Sequence, residues 1–332
     1  MTTKYPLLSL DRPDTVTDAL NAVEVLESGE QITQLEIAGE GNMNLVIRVT
    51  TDRRTLIVKQ SRPWVEKYPQ IAAPEQRIIA EIDFYHRIGN YPSLATMMPT
   101  MIAAKPDQFM MVMQDLGEAS DYLCVYGQDN DQEIPIQDCL QYLVALHGVQ
   151  IVGSEPIGCD ALKLLNHQHI FQIPYQTPSA IDLDSVCQGM ESLANEIRSV
   201  HRLHEQAKRF GELFLAKGDF MLHGDFYPGS LLNTGDGLRV IDAEFCFAGP
   251  REFDVAVFIA HLVMAGSPDT ILESICERYN QASSGPDLEM ELIKNFAGLE
   301  IIRRLIGVAQ LPLAANLQER RDMLEIAKNW VR

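Results

Sequence analysis

The sequence is poor in positive charge. Lysine and arginine number 27 against 46 aspartate and glutamate residues, which gives a formal net charge of −19 at pH 7. This imbalance argues against a nucleic-acid backbone or an anionic membrane surface as the main partner. It does not exclude a nucleotide such as ATP, because a local pocket inside an acidic protein can be positive.

Long apolar runs and paired cysteines are also absent. No run approaches the roughly 18 apolar residues that a membrane-spanning helix needs, and the first residues show no secretory signal. We therefore expect a cytoplasmic protein without a membrane partner. The six cysteines lie far apart and form no C-x-x-C pair, which disfavours zinc-binding and redox functions. The 332 residues can form one large domain or two lobes.

The strongest chemical signal comes from two short apolar runs that each end at a carboxylate. Residues 220–222 predict a buried strand, and the following loop carries an HGD motif that ends at Asp225. Residues 238–241 predict a second strand that ends at Asp242, two residues before Glu244. Phosphoryl transfer from a nucleotide needs one acid to orient the attacking hydroxyl and others to hold magnesium. The pattern therefore predicts a catalytic aspartate followed by a pair of magnesium ligands.

These motifs resemble those of a known family. The order HGD, then an asparagine, then D-x-E is similar to the catalytic core of the protein-kinase-like small-molecule kinases, the group of aminoglycoside, choline and methylthioribose kinases. Within that group, HGDFYPGSLLN followed by VIDAEFCFAGPREFD looks most like the methylthioribose kinases. The resemblance spans Gly39 to Gly307.

The resemblance implies an α+β, two-lobed protein-kinase-like fold. Residues 1–114 would form a nucleotide-binding lobe around an antiparallel sheet. Residues 115–332 would form a mostly helical lobe with the catalytic and substrate-binding residues. ATP is expected between the lobes, with Asp225 as the catalytic residue and with Asp242 and Glu244 on magnesium.

The first lobe contains a candidate phosphate-binding turn. It joins strand-like runs at 35–38 and 45–50 and includes Gly39, Gly41, Asn42 and Asn44. Most such turns bind nothing, so the turn alone is weak evidence. Lys59 strengthens it, because this residue ends the third strand at the position where kinases place the lysine that pairs the nucleotide phosphates.

A helix predicted from Glu75 to Ile88 supplies the ion-pair partner of Lys59. Glu81 is the preferred partner because RIIAE, together with the strands before it, looks like the first lobe of methylthioribose kinases. Glu75 is the competitor. A solvated surface glutamate with no role in the site is the third interpretation.

Two further contacts depend on the kinase-like resemblance. Gln114 and Leu116 follow the last strand of the first lobe, where the backbone of a kinase-like hinge binds the adenine edge. Ser230 stands five residues after Asp225, where kinase-like loops place a metal-binding asparagine. Serine at this place is similar to the HGDLHTGS segment of methylthioribose kinases, and we expect it to be a weaker magnesium ligand.

Two adjacent arginines, Arg303 and Arg304, interrupt an apolar helical run, which charged residues seldom do without partners. GLEIIRRLIG resembles the methylthioribose kinase helix whose arginines reach the active site and the substrate sugar. A structural ion pair with Glu300 or Asp254 is the alternative. Asp254 is itself expected to be an N-cap or a brace for the catalytic loop. A helical pattern over 184–217 predicts one long central helix beneath that loop.

The resemblance implies an ATP- and magnesium-dependent phosphotransferase that acts on a hydroxyl of a small molecule, with methylthioribose as the best single acceptor. An aminoglycoside, choline or another amino alcohol is the alternative that the acidic composition favours. A pseudokinase that binds nucleotide without transfer is disfavoured, because Lys59, Asp225, Asp242 and Glu244 are all present. A homodimer is expected from the resemblance alone.

Overall fold

The computed structural model describes residues 5–39, 43–127, 132–151 and 157–332. The chain divides into two compact units, each built from separate segments. Unit 1 comprises Met1–Ala119, Ile157–Leu162 and Thr234–Cys246, and unit 2 comprises Ser120–Pro156, Lys163–Asn233 and Phe247–Arg332. The lobe boundary after residue 114 stays a prediction.

The strands of the described residues are short. In chain order they are β1 (Ile32–Ile37), β2 (Leu45–Thr51), β3 (Thr55–Gln60), β4 (Trp64–Val65), β5 (Tyr68–Ala72), β6 (Met101–Lys105), β7 (Met110–Gln114), β8 (Ala119–Asp121), β9 (Phe220–Leu222), β10 (Leu231–Thr234), β11 (Gly237–Val240) and β12 (Phe247–Gly249).

Helices make up most of unit 2. In chain order the helices of the described residues are α1 (Pro13–Ala22), α2 (Arg77–Ile88), α3 (Pro92–Ala95), α4 (Ile136–His147), α5 (Asp160–Phe171), α6 (Leu183–Val186), α7 (Met190–Arg198), α8 (His201–Leu215), α9 (Glu252–Met264), α10 (Ile271–Ala282), α11 (Met290–Ile306) and α12 (Leu317–Trp330). Among these helices, none has the length and apolar character needed to cross a membrane.

Unit 1 contains a five-stranded antiparallel sheet in the order β1, β2, β3, β7, β6. Side chains of β2 alternate between buried and half-buried positions, as expected when one face of a sheet is covered. Val16 and Leu20 of α1 pack into the apolar core on that face. Lys59 in β3 lies opposite Val46 of β2 and Met111 of β7. The predicted strands on either side of the β2–β3 turn are confirmed.

Helix α2 carries two charged side chains into the interior of unit 1. Its apolar stripe is buried as predicted, with Ile78 and Ile82 among the covered residues. Arg77 and Glu81 are also buried, with 0% and 1% of their surface exposed. They are four residues apart and therefore lie on the same side of the helix. The helix begins at Arg77, so Glu75 precedes it.

The centre of unit 2 is a pair of packed helices. Helix α9 is buried along its whole length, as expected for a helix that is apolar on every side. Helix α11 packs against α9 and is buried over most of its length. Its buried residues include three charged side chains, Glu300, Arg303 and Arg304.

The prediction of one long helix over 184–217 is wrong, because the chain forms three helices there, α6, α7 and α8. Gly189 has a φ of 96°, in the left-handed region, which a right-handed helix cannot contain. Val200 is extended between α7 and α8. The third helix, α8, buries one side and exposes the other, so it covers the core of unit 2 and does not form its centre.

Candidate active site

In unit 1, Lys59 lies among carboxylates. Its Nζ is 2.7 Å from Oε2 of Glu81 and 2.7 Å from Oδ1 of Asp242. The strand β3 delivers the lysine, α2 delivers the glutamate, and the turn after β11 delivers the aspartate. Glu75 instead accepts a hydrogen bond from the hydroxyl of Tyr5. Of the two glutamates considered from the sequence, Glu81 is therefore the one that pairs with Lys59.

Burial and charge together set the ionisation of this cluster. Burial alone would lower the pKa of Lys59, but the carboxylates of Asp242 and Glu81 outweigh it and raise that pKa. Burial raises the pKa of Glu81 to about 7, against the lowering effect of the lysine. Lys59 is therefore a fixed cation, which is the group needed to pair phosphate oxygens.

Asp242 and Glu244 differ in their surroundings. Asp242 has a φ of 61° and a ψ of 48°, a left-handed conformation that costs a non-glycine residue about 1–3 kcal/mol. Its side chain is 47% exposed. Glu244 is buried, and its Oε2 accepts a 2.8 Å hydrogen bond from Nδ2 of Asn44. The Nε of Arg77 lies 3.5 Å from the same oxygen. Burial also raises the pKa of Glu244.

The chemistry of these donors fits magnesium bound together with a nucleotide. Magnesium is usually held by one or two protein carboxylates, with water and phosphate oxygens completing its shell. Asp242 presents an accessible carboxylate, and Glu244 lies two residues away. Among the described residues, no cluster of three or more histidine, cysteine, aspartate or glutamate side chains is placed to hold a metal by itself.

The other residues predicted to contact the nucleotide lie in the turn after β1 and at the end of β7. Gly39 has a φ of 76°, consistent with the predicted turn, whereas Gly41 and Asn42 lie outside the described residues. Gln114 ends β7 and its Oε1 accepts a hydrogen bond from the N–H of Thr100. Leu116 follows and is half-buried. Their contacts with a nucleotide stay predictions.

In unit 2, the HGD loop is held by Asp254. The buried carboxylate of Asp254 accepts hydrogen bonds from the N–H of His223 at 2.7 Å and of Gly224 at 2.9 Å. The Nε2 of His147 lies 3.4 Å from the same carboxylate, and its Nδ1 lies 2.8 Å from the hydroxyl of Tyr279. The prediction that Asp254 braces the loop is confirmed. His147 and Tyr279 were not predicted, since their sequence neighbourhoods show no motif.

Ser230 also supports the loop. Its hydroxyl is buried and donates a 2.9 Å hydrogen bond to the backbone carbonyl of Asp225. This contact helps to hold the backbone that carries the predicted catalytic residue. Metal binding by Ser230 stays a prediction.

Both predicted arginines lie beside Asp225. The Nη2 of Arg304 is 3.0 Å from Oδ1 of Asp225, and the Nη1 of Arg303 is 3.9 Å from the same oxygen. Glu300 holds the pair from behind, at 2.6 Å from Nε of Arg304 and 3.0 Å from Nη1 of Arg303. The alternative of an ion pair with Glu300 is therefore observed, and a position of either arginine at the substrate site stays a prediction. The ring of Tyr227 stacks on Arg304, with 4.9 Å between the ring centroid and Cζ.

Glu300 carries the buried negative charge that pairs with both arginines. Burial alone would raise its pKa, but Arg303 and Arg304 outweigh burial and hold that pKa well below its usual range. His261 in α9 lies behind Glu300, with Nε2 at 3.4 Å from Oε1, and its Nδ1 shares a hydrogen bond with the hydroxyl of Tyr126. Burial lowers the pKa of His261 to about 4. The only sequence signal for His261 was a lone histidine in an apolar helix.

The fold and the two clusters define a class of protein. An antiparallel-sheet unit with a buried lysine–glutamate pair, and a helical unit with an HGD aspartate on a braced loop, are the parts of a protein-kinase-like small-molecule kinase. The phosphotransferase enzyme family matches residues 34–290, so the chain belongs to that family. The predicted fold class and the predicted kinase class are confirmed.

The names of individual relatives are more specific than the family. The chain is 28% identical to a methylthioribose kinase of Exiguobacterium sibiricum, over 93% of this chain and 88% of that protein. Other curated relatives with 23–28% identity carry the same name.

Solved structures support the fold. Choline kinase LicA from Streptococcus pneumoniae superposes with a TM-score of 0.53 at 13% identity, covering 97% of this chain and 99% of that one. A spectinomycin phosphotransferase in complex with ADP and spectinomycin gives 0.53 at 12% identity, covering 96% of this chain and 98% of that one. At such identities the likeness shows the fold alone.

Proposed function

We propose that the protein transfers the terminal phosphoryl group of ATP to a hydroxyl of methylthioribose. The names of the curated relatives support this substrate, since the match to the Exiguobacterium sibiricum protein extends over most of both chains. The observation that carries the proposal is the position of the two arginines beside Asp225 in unit 2.

The arginines discriminate between acceptor classes by charge. Arg303 and Arg304 are buried, each with 6% of its surface exposed, and both lie within 4 Å of Oδ1 of Asp225. The charges of the two arginines are balanced by the carboxylates of Glu300 and Asp225, so a cationic acceptor finds no net negative charge here to offset the loss of its hydration. A neutral sugar meets no such penalty and gains hydrogen-bond donors. The local charge therefore favours methylthioribose over choline or an aminoglycoside, although the net charge of the chain is negative.

Asp225 is assigned the role of orienting the acceptor hydroxyl and taking its proton. Arg304 donates to its Oδ1 at 3.0 Å. In this assignment Oδ2 accepts the hydrogen bond from the substrate hydroxyl. Because the transition state for phosphoryl transfer is loose, fixed orientation of the nucleophile contributes more than early proton transfer.

The nucleotide is assigned to residues of unit 1. Lys59, fixed by Glu81, would pair the phosphates, and the backbone at Gln114 and Leu116 would bind the adenine edge. Asp242 and Glu244 would hold magnesium, which when bound neutralises the charge on the phosphate oxygens. Gly39 and Asn44 belong to the turn proposed to close over the phosphates.

Four further properties remain part of the proposal. Magnesium is the expected metal because the accessible donors are hard carboxylate oxygens. A cytoplasmic location and a homodimer are expected from the sequence and from the family resemblance. A nucleic-acid partner is not expected, because the net charge of −19 opposes it.

A coupled assay of ADP production tests this function. With ATP and magnesium, the wild-type chain is offered methylthioribose, ribose, choline, homoserine and an aminoglycoside. Turnover with methylthioribose that disappears in Asp225→Asn and persists in Asp236→Asn, a control in the exposed β10–β11 turn, supports the proposal. Turnover with choline or the aminoglycoside in preference to methylthioribose refutes the assigned substrate. ATP binding without turnover on any acceptor would favour a pseudokinase.

A further inference from the structure

Arg77 is a fully buried cation that the proposed chemistry does not use. It occupies the first turn of α2 with 0% of its surface exposed. A guanidinium group has five N–H donors, and each one that lacks an acceptor in the interior carries a large desolvation cost. A fully buried guanidinium group is therefore most stable where all five donors find acceptors.

Five acceptors surround the guanidinium group within unit 1. Nε donates to Oδ1 of Asn44 at 2.8 Å. The four remaining donors reach backbone carbonyls, those of Arg62 and Pro74 from Nη1 and those of Met43 and Trp64 from Nη2. Arg77 therefore ties α2 to the end of the glycine-bearing turn and to the chain that follows β3.

The same cluster includes the second carboxylate of the D-x-E motif. Asn44 donates from Nδ2 to Oε2 of Glu244 at 2.8 Å while its Oδ1 accepts from Arg77. Both ends of the amide are therefore engaged. Oε2 of Glu244 also lies 3.5 Å from Nε of Arg77.

Helix α2 thus holds the D-x-E turn at two points. Glu81 binds Lys59, which binds Asp242, and Arg77 lies one helical turn earlier on the same side and faces Glu244. Glu81 contributes a negative charge and acts on Asp242 through Lys59. Arg77 contributes a positive charge and lies next to Glu244.

We propose that Arg77 is a positioning residue for magnesium binding: through Asn44 and Glu244 it couples the glycine-bearing turn to the D-x-E turn. Since protein acceptors engage all five of its donors, its guanidinium group is assigned an indirect role, without contact to the nucleotide. Asn44, which the sequence suggested as a direct nucleotide contact, acts here as the bridge. The inference rests on the proposed use of magnesium and ATP and goes beyond it by assigning a role to a residue outside the motifs.

Binding measurements without turnover test this assignment. Binding of a fluorescent ATP analogue is measured with and without magnesium in the wild type and in Arg77→Lys, which keeps the charge and loses the planar fork. The apparent affinity for magnesium in the presence of nucleotide should fall about 10–100-fold, the usual effect of removing a group that orients a metal ligand. Nucleotide binding without magnesium should stay within about twofold of wild type. Arg87→Lys, in a half-buried pair with Asp83 on the same helix, should behave as wild type.

The route through Glu244 is tested by a double-mutant cycle. If Arg77 acts through this carboxylate, Arg77→Lys should have little further effect on magnesium affinity in a Glu244→Gln background. Asn44→Ala, which removes the bridge from the other side, should weaken magnesium binding as Arg77→Lys does. This second variant decides the matter if Arg77→Lys fails to fold.

The outcomes separate this inference from the function on which it rests. A wild-type chain that binds no ATP overturns the proposed function and this inference together. Normal wild-type binding with unchanged magnesium affinity in the folded Arg77→Lys and Asn44→Ala variants overturns the inference alone. Equal loss of binding with and without magnesium also overturns it, because Arg77 would then shape the nucleotide site as a whole.

Discussion

Replacing Glu300 with glutamine removes one charge from the arginine cluster of unit 2. Glu300 is 1% exposed and accepts hydrogen bonds from Nη1 of Arg303 at 3.1 and 3.0 Å and from Nε of Arg304 at 2.6 Å. In the variant, the carboxylate of Asp225 is the remaining negative partner of both guanidinium groups in this cluster. The amide has nearly the same volume as the carboxyl group, so the substitution tests charge with little change in packing.

The expected effect is large because the pair is buried. Removing one partner of a buried ion pair costs about 3–5 kcal/mol, since the other charge stays desolvated. We expect the free energy of unfolding of unit 2 to fall by that amount at pH 7. The folded-state pKa of Glu300 is lowered, so its contribution is present above the unfolded-state value near 4.5 and is lost as the pH falls. The difference between wild type and variant should therefore shrink in acid.

Urea unfolding measures this loss in unit 2. The chain has two tryptophans, Trp64 and Trp330, so in a Trp64→Phe background the fluorescence reports on α12. The control is Glu196→Gln, which breaks an exposed pair with two contacts to Arg321 at 2.6 and 3.1 Å and should leave stability almost unchanged, because solvent screens the pair. If the two variants lose the same stability, burial does not control the strength of the Glu300 pairs and the reasoning is refuted.

Three other predictions concern the remaining parts of the two clusters. Lys59→Met and Glu81→Gln should each weaken ATP binding about 10–100-fold, because a charge-assisted contact contributes about 1.5–3 kcal/mol, whereas Glu75→Gln should leave the dissociation constant unchanged. His261 has a folded-state pKa of about 4 against an ordinary value of 6.5, so the folded state binds fewer protons between these values. Stability should therefore fall by roughly 3 kcal/mol as the pH drops through this range, and His261→Asn should remove that dependence in urea titrations. Asp254→Asn should lower kcat and leave the KM for ATP unchanged, because its carboxylate holds the HGD loop through two backbone N–H groups.

Each of these predictions has a result that contradicts it. An equal loss of ATP affinity in the Glu81 and Glu75 variants would show that the pairing of Lys59 is not specific. A His261→Asn variant that keeps the full acid dependence would assign that dependence to other groups. A change in the KM for ATP in Asp254→Asn, with kcat intact, would show that the loop brace does not serve Asp225.

Local patterns in the sequence were sufficient for much of the fold. The alternation of residues in β2 and the LIVK run in β3 predicted those strands, because the period of the side chains depends only on neighbouring residues. The prediction of one long helix over 184–217 was wrong because it also depended only on local spacing. Apolar spacing continued across Gly189 and Val200, while the backbone conformations that end the helices are not visible in such spacing.

The class of site could be predicted from contiguous motifs, since HGD, D-x-E and the paired arginines each lie within a few neighbouring residues. Which charges form pairs depends instead on how folding brings distant segments together. Arg77 and Glu244 lie far apart in the sequence, and nothing local distinguishes Arg77 from a surface arginine of α2. His261 likewise looks like part of an apolar helix until Glu300 is placed behind it. A buried charge is stabilised by its partners in space, and those partners come from whichever segments folding brings together.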